Sequence, residues 1–306
     1  MTGKKRSKPD SLWHFFSFGT FVKTFQFQKI WLSDVVQSND KYELVLYEAL
    51  LKRITDKINN TEPKKRQYLL NWFFRENRTR EMAEPGLLWA FCFGRELNNL
   101  WMWKEYGDNF SGVAVEFNYD KLISEIRHLN KENDLIQFDL FPVRYIDFKN
   151  IPDNVIDKAF NMIEKLSIDE LNKNFNEFSK LFSHYKEKSF KMEKEYRLVA
   201  INKAKKTIDK KLDIKNDEIL GNNIVNFLNQ TITRENKIKH TADFRCHVKE
   251  DKIITHIECP FNLKDTVQSV RFCDDHSKEE IEGLLFLTLG DNNISVQPFE
   301  TGYNNR

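Results

Sequence analysis

Glycine and proline are scarce in this chain, 10 and 7 among 306 residues. That excludes collagen-like, linker-like and propeller-like architectures. The four cysteines, Cys92, Cys246, Cys259 and Cys273, are widely spaced, and no C-x-x-C pair occurs. A zinc ribbon, a thioredoxin-type site and a secreted disulfide scaffold all lose their support. No long apolar run exists: the longest covers 87–93, far short of the roughly 20 residues that cross a bilayer. The basic start leads into a stretch broken by His14, Ser17, Gly19 and Lys23, which lacks a signal-peptide core. The expectation is a cytoplasmic protein with no membrane contact. Charge of one sign is also missing. Lys plus Arg number 48 against 46 acids, a net charge of +2, whereas a protein that coats nucleic acid shows a larger basic excess. The P-loop, the G-x-G-x-x-G fingerprint, H-E-x-x-H and the G-x-S-x-G elbow are absent, which argues against the chemistries they carry.

What is present is a globular composition, 40% hydrophobic and 31% charged, with 26 phenylalanines. Large aromatics bury much area each, so a modest number of core positions can stabilise a domain. Residues 1–10 read as a flexible tail. Strands are expected at 13–16, 29–33, 87–93, 111–117, 138–148, 193–201, 252–259, 267–273 and 294–297. Helices are expected at 20–27, from Asp40 onward, at 66–80, around 97–104, from Asp120 to 129, along a charged region at 153–190, and at 277–287 behind Ser277. Asp40 and Glu43 have capping-box spacing, and Gly107 is placed to end a helix. Residues 203–250 are polar and read as an insertion, like the helical region over 150–190. Strands and helices mix without βαβ alternation. The expected fold is therefore α+β, one domain over 11–303, with a mostly antiparallel and split central sheet.

Four segments could carry chemistry. Trp13-His14-Phe15-Phe16 sets an imidazole among aromatics, either as a core histidine or as one directional hydrogen-bonding group. The Asp40–Glu43 stretch reads as a helix cap. Trp101-Met102-Trp103-Lys104-Glu105-Tyr106 supplies either core aromatics or a wall for a flat ring, with Tyr106 stacking on it. In Glu193-Lys194-Glu195-Tyr196-Arg197, strand alternation would turn Glu193, Glu195 and Arg197 to one face. The face is then a salt-bridged surface or a carboxylate pair in a cleft, able to stabilise positive charge at an anomeric carbon.

In this order the segments resemble a large bacterial family of domains of unknown function. Its members carry a CFS segment, here Cys92-Phe93-Gly94, with glycine where serine is usual. They also carry an M-W-x-x-Y segment, here Met102 to Tyr106, a G-V-x-x-E-F segment, here Gly112 to Phe117, and a late E-x-E-[YW]-R, here Glu193 to Arg197. A more distant similarity is to ADP-ribosyltransferases, whose split antiparallel sheet clamps NAD. That similarity implies NAD as substrate, with His14, Tyr106 and Arg197 on the NAD side. It makes Glu195 the stabiliser of an oxocarbenium-like transition state and Glu193 the group that orients or deprotonates the acceptor, with no metal. The implied activity is an intracellular effector in a toxin or phage-defence setting, acting on protein or nucleic acid. Two alternatives stay open at this point. One is a non-catalytic antitoxin, sensor or interaction module, with a partner protein from a defence operon. The other is a metal-dependent nucleic-acid-processing enzyme using Asp40, Glu43, Glu193 and Glu195. Likeness of motif order alone does not transfer activity.

Overall fold

A computed structural model describes residues 8–35, 42–60, 88–133, 136–164, 180–181, 183–202, 243–249, 252–273, 276–290 and 293–300. Strand β1 (Ser11–Phe16) is apolar on both faces, because it is covered on both. Ser17 caps α1 (Phe18–Phe27) by accepting the Thr20 N–H. β2 (Lys29–Asp34), α2 (Tyr42–Asn59), β3 (Leu88–Phe93), the short α3 (Leu100–Glu105) and β4 (Val113–Asn118) follow. The helix expected to open at Asp120 starts earlier. In α4 (Tyr119–Glu132) the cap is Asn118, whose side chain accepts the Lys121 N–H at 3.0 Å, and Asp120 lies inside the first turn. Leu122, Ile126 and Leu129 give α4 one buried stripe.

The single strand expected at 138–148 is two, β5 (Ile136–Pro142) and β6 (Arg144–Ile146). Of the helical region expected at 153–190, α5 (Asp153–Glu164) is helical, while Tyr185–Glu187 forms strand β7 and Lys188–Glu193 a 3-10 helix. β8 (Tyr196–Asn202) then begins three residues later than expected. β9 (Asp243–Lys249), β10 (Lys252–Pro260), α6 (Leu263–Thr266), β11 (Val267–Phe272), α7 (Lys278–Leu289) and β12 (Ser295–Pro298) complete the chain. Ser277 and Glu280 close a full capping box on α7. Asp40, the side chain of Glu43, the helix expected at 66–80 and residues 203–242 lie outside the described residues. No described helix is long and apolar enough to cross a membrane.

The fold is α+β. A four-stranded sheet, β1-β4-β11-β12, is antiparallel except for its β11/β12 edge, and a six-stranded sheet, β5-β8-β3-β2-β10-β9, is antiparallel throughout. A parallel pair, β6-β7, stands apart. Among the described residues the two larger sheets meet at one bridge, where Trp13 and Gly94 exchange backbone hydrogen bonds of 2.9 and 2.7 Å. Past that bridge β1 and β3 splay, so the sheet is split. One core fills the space beside the split: Leu12 and Phe16 of β1, Trp89, Phe91 and Phe93 of β3, Val113, Val115 and Phe117 of β4, with Phe21 and Phe25 of α1 over them. Each such side chain contributes about 1.5–3 kcal/mol when fully buried. Trp13 and Phe15 point the other way, into a second cluster with Met102 and Trp103 of α3.

Candidate active site

Alternation along β3 sorts the side chains around the split. Trp89, Phe91 and Phe93 turn to the main core, while Cys92 turns to the opposite face. Cys92 pairs directly with Arg197 of β8, which pairs in turn with Phe141 of β5, so all three share that face. Beyond Phe141 the face is apolar, with Leu88, Val199 and Ile201. At its Cys92 end it is ionic.

There Glu195 lies between two cations. Arg197 Nε donates to Glu195 Oε1 at 2.5 Å, and Lys186 Nζ of β7 donates to Oε2 at 3.2 Å. Lys186 also donates to Glu193 Oε2 at 2.7 Å. The other oxygen of Glu193 accepts the Tyr106 hydroxyl at 3.2 Å. Cys92 faces the cluster as the strand partner of Arg197, and a guanidinium N–H of Arg197 reaches the Ser183 carbonyl at 3.4 Å. The Glu195 N–H donates to the Tyr145 hydroxyl at 2.8 Å, and its carbonyl accepts the Val143 N–H at 2.9 Å. Glu193, Glu195 and Arg197 are each 2% exposed and Lys186 is 5% exposed. Two acids and two bases therefore share one buried site.

The expected strand alternation is not what aligns the carboxylates. Glu193 ends the 3-10 helix, Lys194 is left-handed at φ 47°, and the strand begins only at Tyr196. The left-handed residue reverses the local direction. It sends the Lys194 side chain outward to Glu96 while both neighbours turn inward to Lys186. A non-glycine residue in this region costs roughly 1–2 kcal/mol.

The two carboxylates titrate in opposite directions. Burial pushes Glu193 up to about 7, against the pull of Lys186. Burial acts on Glu195 in the same sense, but Arg197 and Lys186 outweigh it and hold that carboxyl well below the usual range. Burial would lower Lys186, yet the Glu195 and Glu193 carboxylates keep it charged and raise it. Burial raises the Cys92 thiol and the Tyr106 and Tyr145 hydroxyls, so none of these is an anion near neutrality.

Of the residues singled out in the sequence, the fold gathers Glu193, Glu195, Arg197 and Tyr106. It does not bring His14 to them. The imidazole stacks on Phe91 at 3.8 Å and meets Phe16 edge-on at 4.1 Å, on the core side of β3, away from the carboxylates. Its Nδ1–H donates to the Cys92 carbonyl at 2.6 Å, on the edge that β1 leaves open as the sheets part. Burial lowers its pKa to about 4, so it is neutral at physiological pH. The expected convergence of His14 and Glu195 on one groove is therefore replaced by their separation across β3. Lys186, Tyr145 and the Cys92 thiol belong to the site and were not assigned to it from sequence. Lys186 sits in a charged stretch that reads as helix, where no spacing distinguishes it from other lysines. Tyr145 lies in a segment expected as strand, where nothing marks its hydroxyl for the site. Among the described residues no three His, Cys, Asp or Glu side chains gather as a metal site.

No curated protein and no solved structure matches the chain. Residues 102–198 match the family model described as "Protein of unknown function (DUF2971)", a span that opens in α3, closes in β8 and includes Tyr106, Tyr145, Lys186, Glu193, Glu195 and Arg197, so over this third of its length the chain is similar to a domain family of unknown function.

Proposed function

We propose that this chain is an ADP-ribosyltransferase-like enzyme whose reaction centre is the Glu193–Glu195 cluster. The observation that carries the reading is the pair of carboxylates on one ammonium, only one of which has a tyrosine leading outward. An enzyme that breaks an N-glycosidic bond and passes the sugar on needs two acidic groups in different states. One must be an anion to stabilise charge at the anomeric carbon. The other must accept a proton from the incoming nucleophile. Glu195, held ionised by Arg197 and Lys186, suits the first role, and Glu193, which titrates near neutrality, suits the second.

In the step so drawn, the bond from C1′ of the ribose to the nicotinamide nitrogen breaks. Its electron pair leaves with the nitrogen and neutralises the pyridinium. A lone pair of the acceptor forms the new bond to C1′, and the acceptor's proton passes to Glu193. Arg197 and Lys186 act through Glu195 as positioning residues, and Tyr106 supplies the aromatic wall. A carboxylate placed in this way is worth a few kcal/mol of transition-state stabilisation. His14 has no part in this scheme. Incubation of the full chain with labelled NAD and a mixture of cellular proteins and nucleic acids tests it. Nicotinamide release with label on an acceptor is the expected result, reduced about a hundredfold or more in Glu195→Gln.

A second reading is favoured by one specific observation: Glu195 is 2% exposed and already neutralised. A cluster like this also suits a non-catalytic interaction module, in which it fixes the geometry of β7 and β8. That reading expects no nicotinamide release from folded protein with any acceptor.

A further inference from the structure

Both carboxylates are closed off from solvent, yet the tyrosine bonded to one of them is 46% exposed. Tyr106 is the outermost link of the chain Tyr106–Glu193–Lys186–Glu195–Arg197. Its backbone is fixed. The Tyr106 and Gly107 N–H groups both donate to the Met102 carbonyl, at 2.9 and 3.1 Å. A Cβ on Gly107 would lie 2.7 Å from the Trp103 carbonyl oxygen, and one on Gly112 only 2.0 Å from that of Phe16. Between these glycines, Asp108, Asn109 and Phe110 are left-handed in succession, at φ 52°, 53° and 72°. Such strain persists only where the surroundings over-determine it. Here Phe110 is packed against the Trp13–Phe15–Trp103 cluster, and the Gly112 N–H is bonded to the Gly107 carbonyl at 2.9 Å. At its other end α3 is tied to the 3-10 helix, where Asn99 Nδ2 donates to the Met192 carbonyl at 2.6 Å. A clamped backbone leaves side-chain rotation as the motion open to Tyr106.

We infer that the Tyr106 side chain is the gate of the cluster, closed by its bond to Glu193 and opened by rotation about a fixed backbone. The inference rests on the cluster being the reaction centre, since a gate there controls access of substrate to Glu193 and Glu195. Its test needs no turnover. Cys92 is the strand partner of Arg197 and is itself partly exposed, so the change in its labelling rate on substitution at Tyr106 reports the opening. Cys259 is buried elsewhere in the main core and reports general loosening.

The rate of maleimide labelling at each cysteine is read by peptide mass spectrometry for the wild type, Tyr106→Phe and Tyr106→Ala. Losing one hydrogen bond in Tyr106→Phe is expected to speed labelling of Cys92 about fivefold, and Tyr106→Ala to speed it further, with Cys259 unchanged. An unchanged Cys92 rate in Tyr106→Ala overturns the gate, as does equal acceleration at both cysteines. Gated labelling without nicotinamide release would leave the gate standing and remove the transferase reading. Nicotinamide release with ungated labelling would do the reverse.

Discussion

Glu193 and Glu195 stand two positions apart and share one lysine, yet their surroundings push them in opposite directions. Different consequences follow from removing each charge. Glu195→Gln strands Arg197 and half of the Lys186 interaction inside the protein, and breaking a buried pair this way costs about 3–5 kcal/mol. Glu193→Gln replaces a group that burial already drives toward its neutral form and keeps an acceptor for Tyr106, so its cost is expected to be smaller, about 1 kcal/mol. Urea unfolding of the two variants at neutral pH checks the ranking, and equal losses would contradict it. The sign of the pH dependence is also fixed. Glu193 holds its proton more tightly folded than unfolded, with a pKa of about 7 against 4.5. Its contribution is full below pH 4.5 and is lost as pH rises toward 7, on the order of 3 kcal/mol at most. Unfolding free energies of wild type and Glu193→Gln measured from pH 4.5 to 7.5 are expected to differ by that slope, and parallel profiles would count against it.

At the scale of elements, the site depends on two irregular pieces that hold regular ones in place. The left-handed turn at 108–110 carries β4 away from α3 beneath Phe16, and left-handed Lys194 joins the 3-10 helix to β8. Gly112→Ala is expected to cost more than about 2 kcal/mol, because the new methyl meets backbone rather than a movable side chain. A melting temperature within a degree of wild type would refute that. These same irregularities mark where sequence reading stopped. Strands β1, β2, β3, β10 and β11 are legible from aromatic and β-branched runs, and α7 from Ser277. By contrast, β7 carries Tyr185-Lys186-Glu187 inside a lysine- and glutamate-rich stretch, where helical and strand patterns look alike. The cap of α4 was read two residues late because Asp120 and Asn118 are both cap-forming residues, and only the backbone decides between them. Glu193, Glu195, Arg197 and Tyr106 were picked out as candidates. Lys186, which joins them, was invisible because its partners come from contacts across the fold and not from spacing. His14 was misplaced because an aromatic-His-aromatic run states that an imidazole is among rings but not on which side of the sheet.

For the molecule as a whole, the split sheet creates two environments around one strand. The side that receives His14 is aromatic and continuous with the main core, and the side that receives Cys92 ends in the buried ionic cluster. A fold stabilised by apolar burial alone has no need of four buried ionic groups, since a hydrophobic replacement of similar volume is often neutral or stabilising. Their presence at the rim of the central sheet, next to an exposed tyrosine, is what the proposed reaction centre rests on. The most direct measurement is nicotinamide release from NAD by purified, folded wild type, Glu193→Gln and Glu195→Gln, followed from pH 5.5 to 8.5. The wild-type rate is expected to rise through about pH 7 as Glu193 loses its proton, with a flat and low profile in Glu193→Gln and near loss of the rate in Glu195→Gln. Absence of release from folded wild type at every pH, or an undiminished rate in Glu195→Gln, would contradict it.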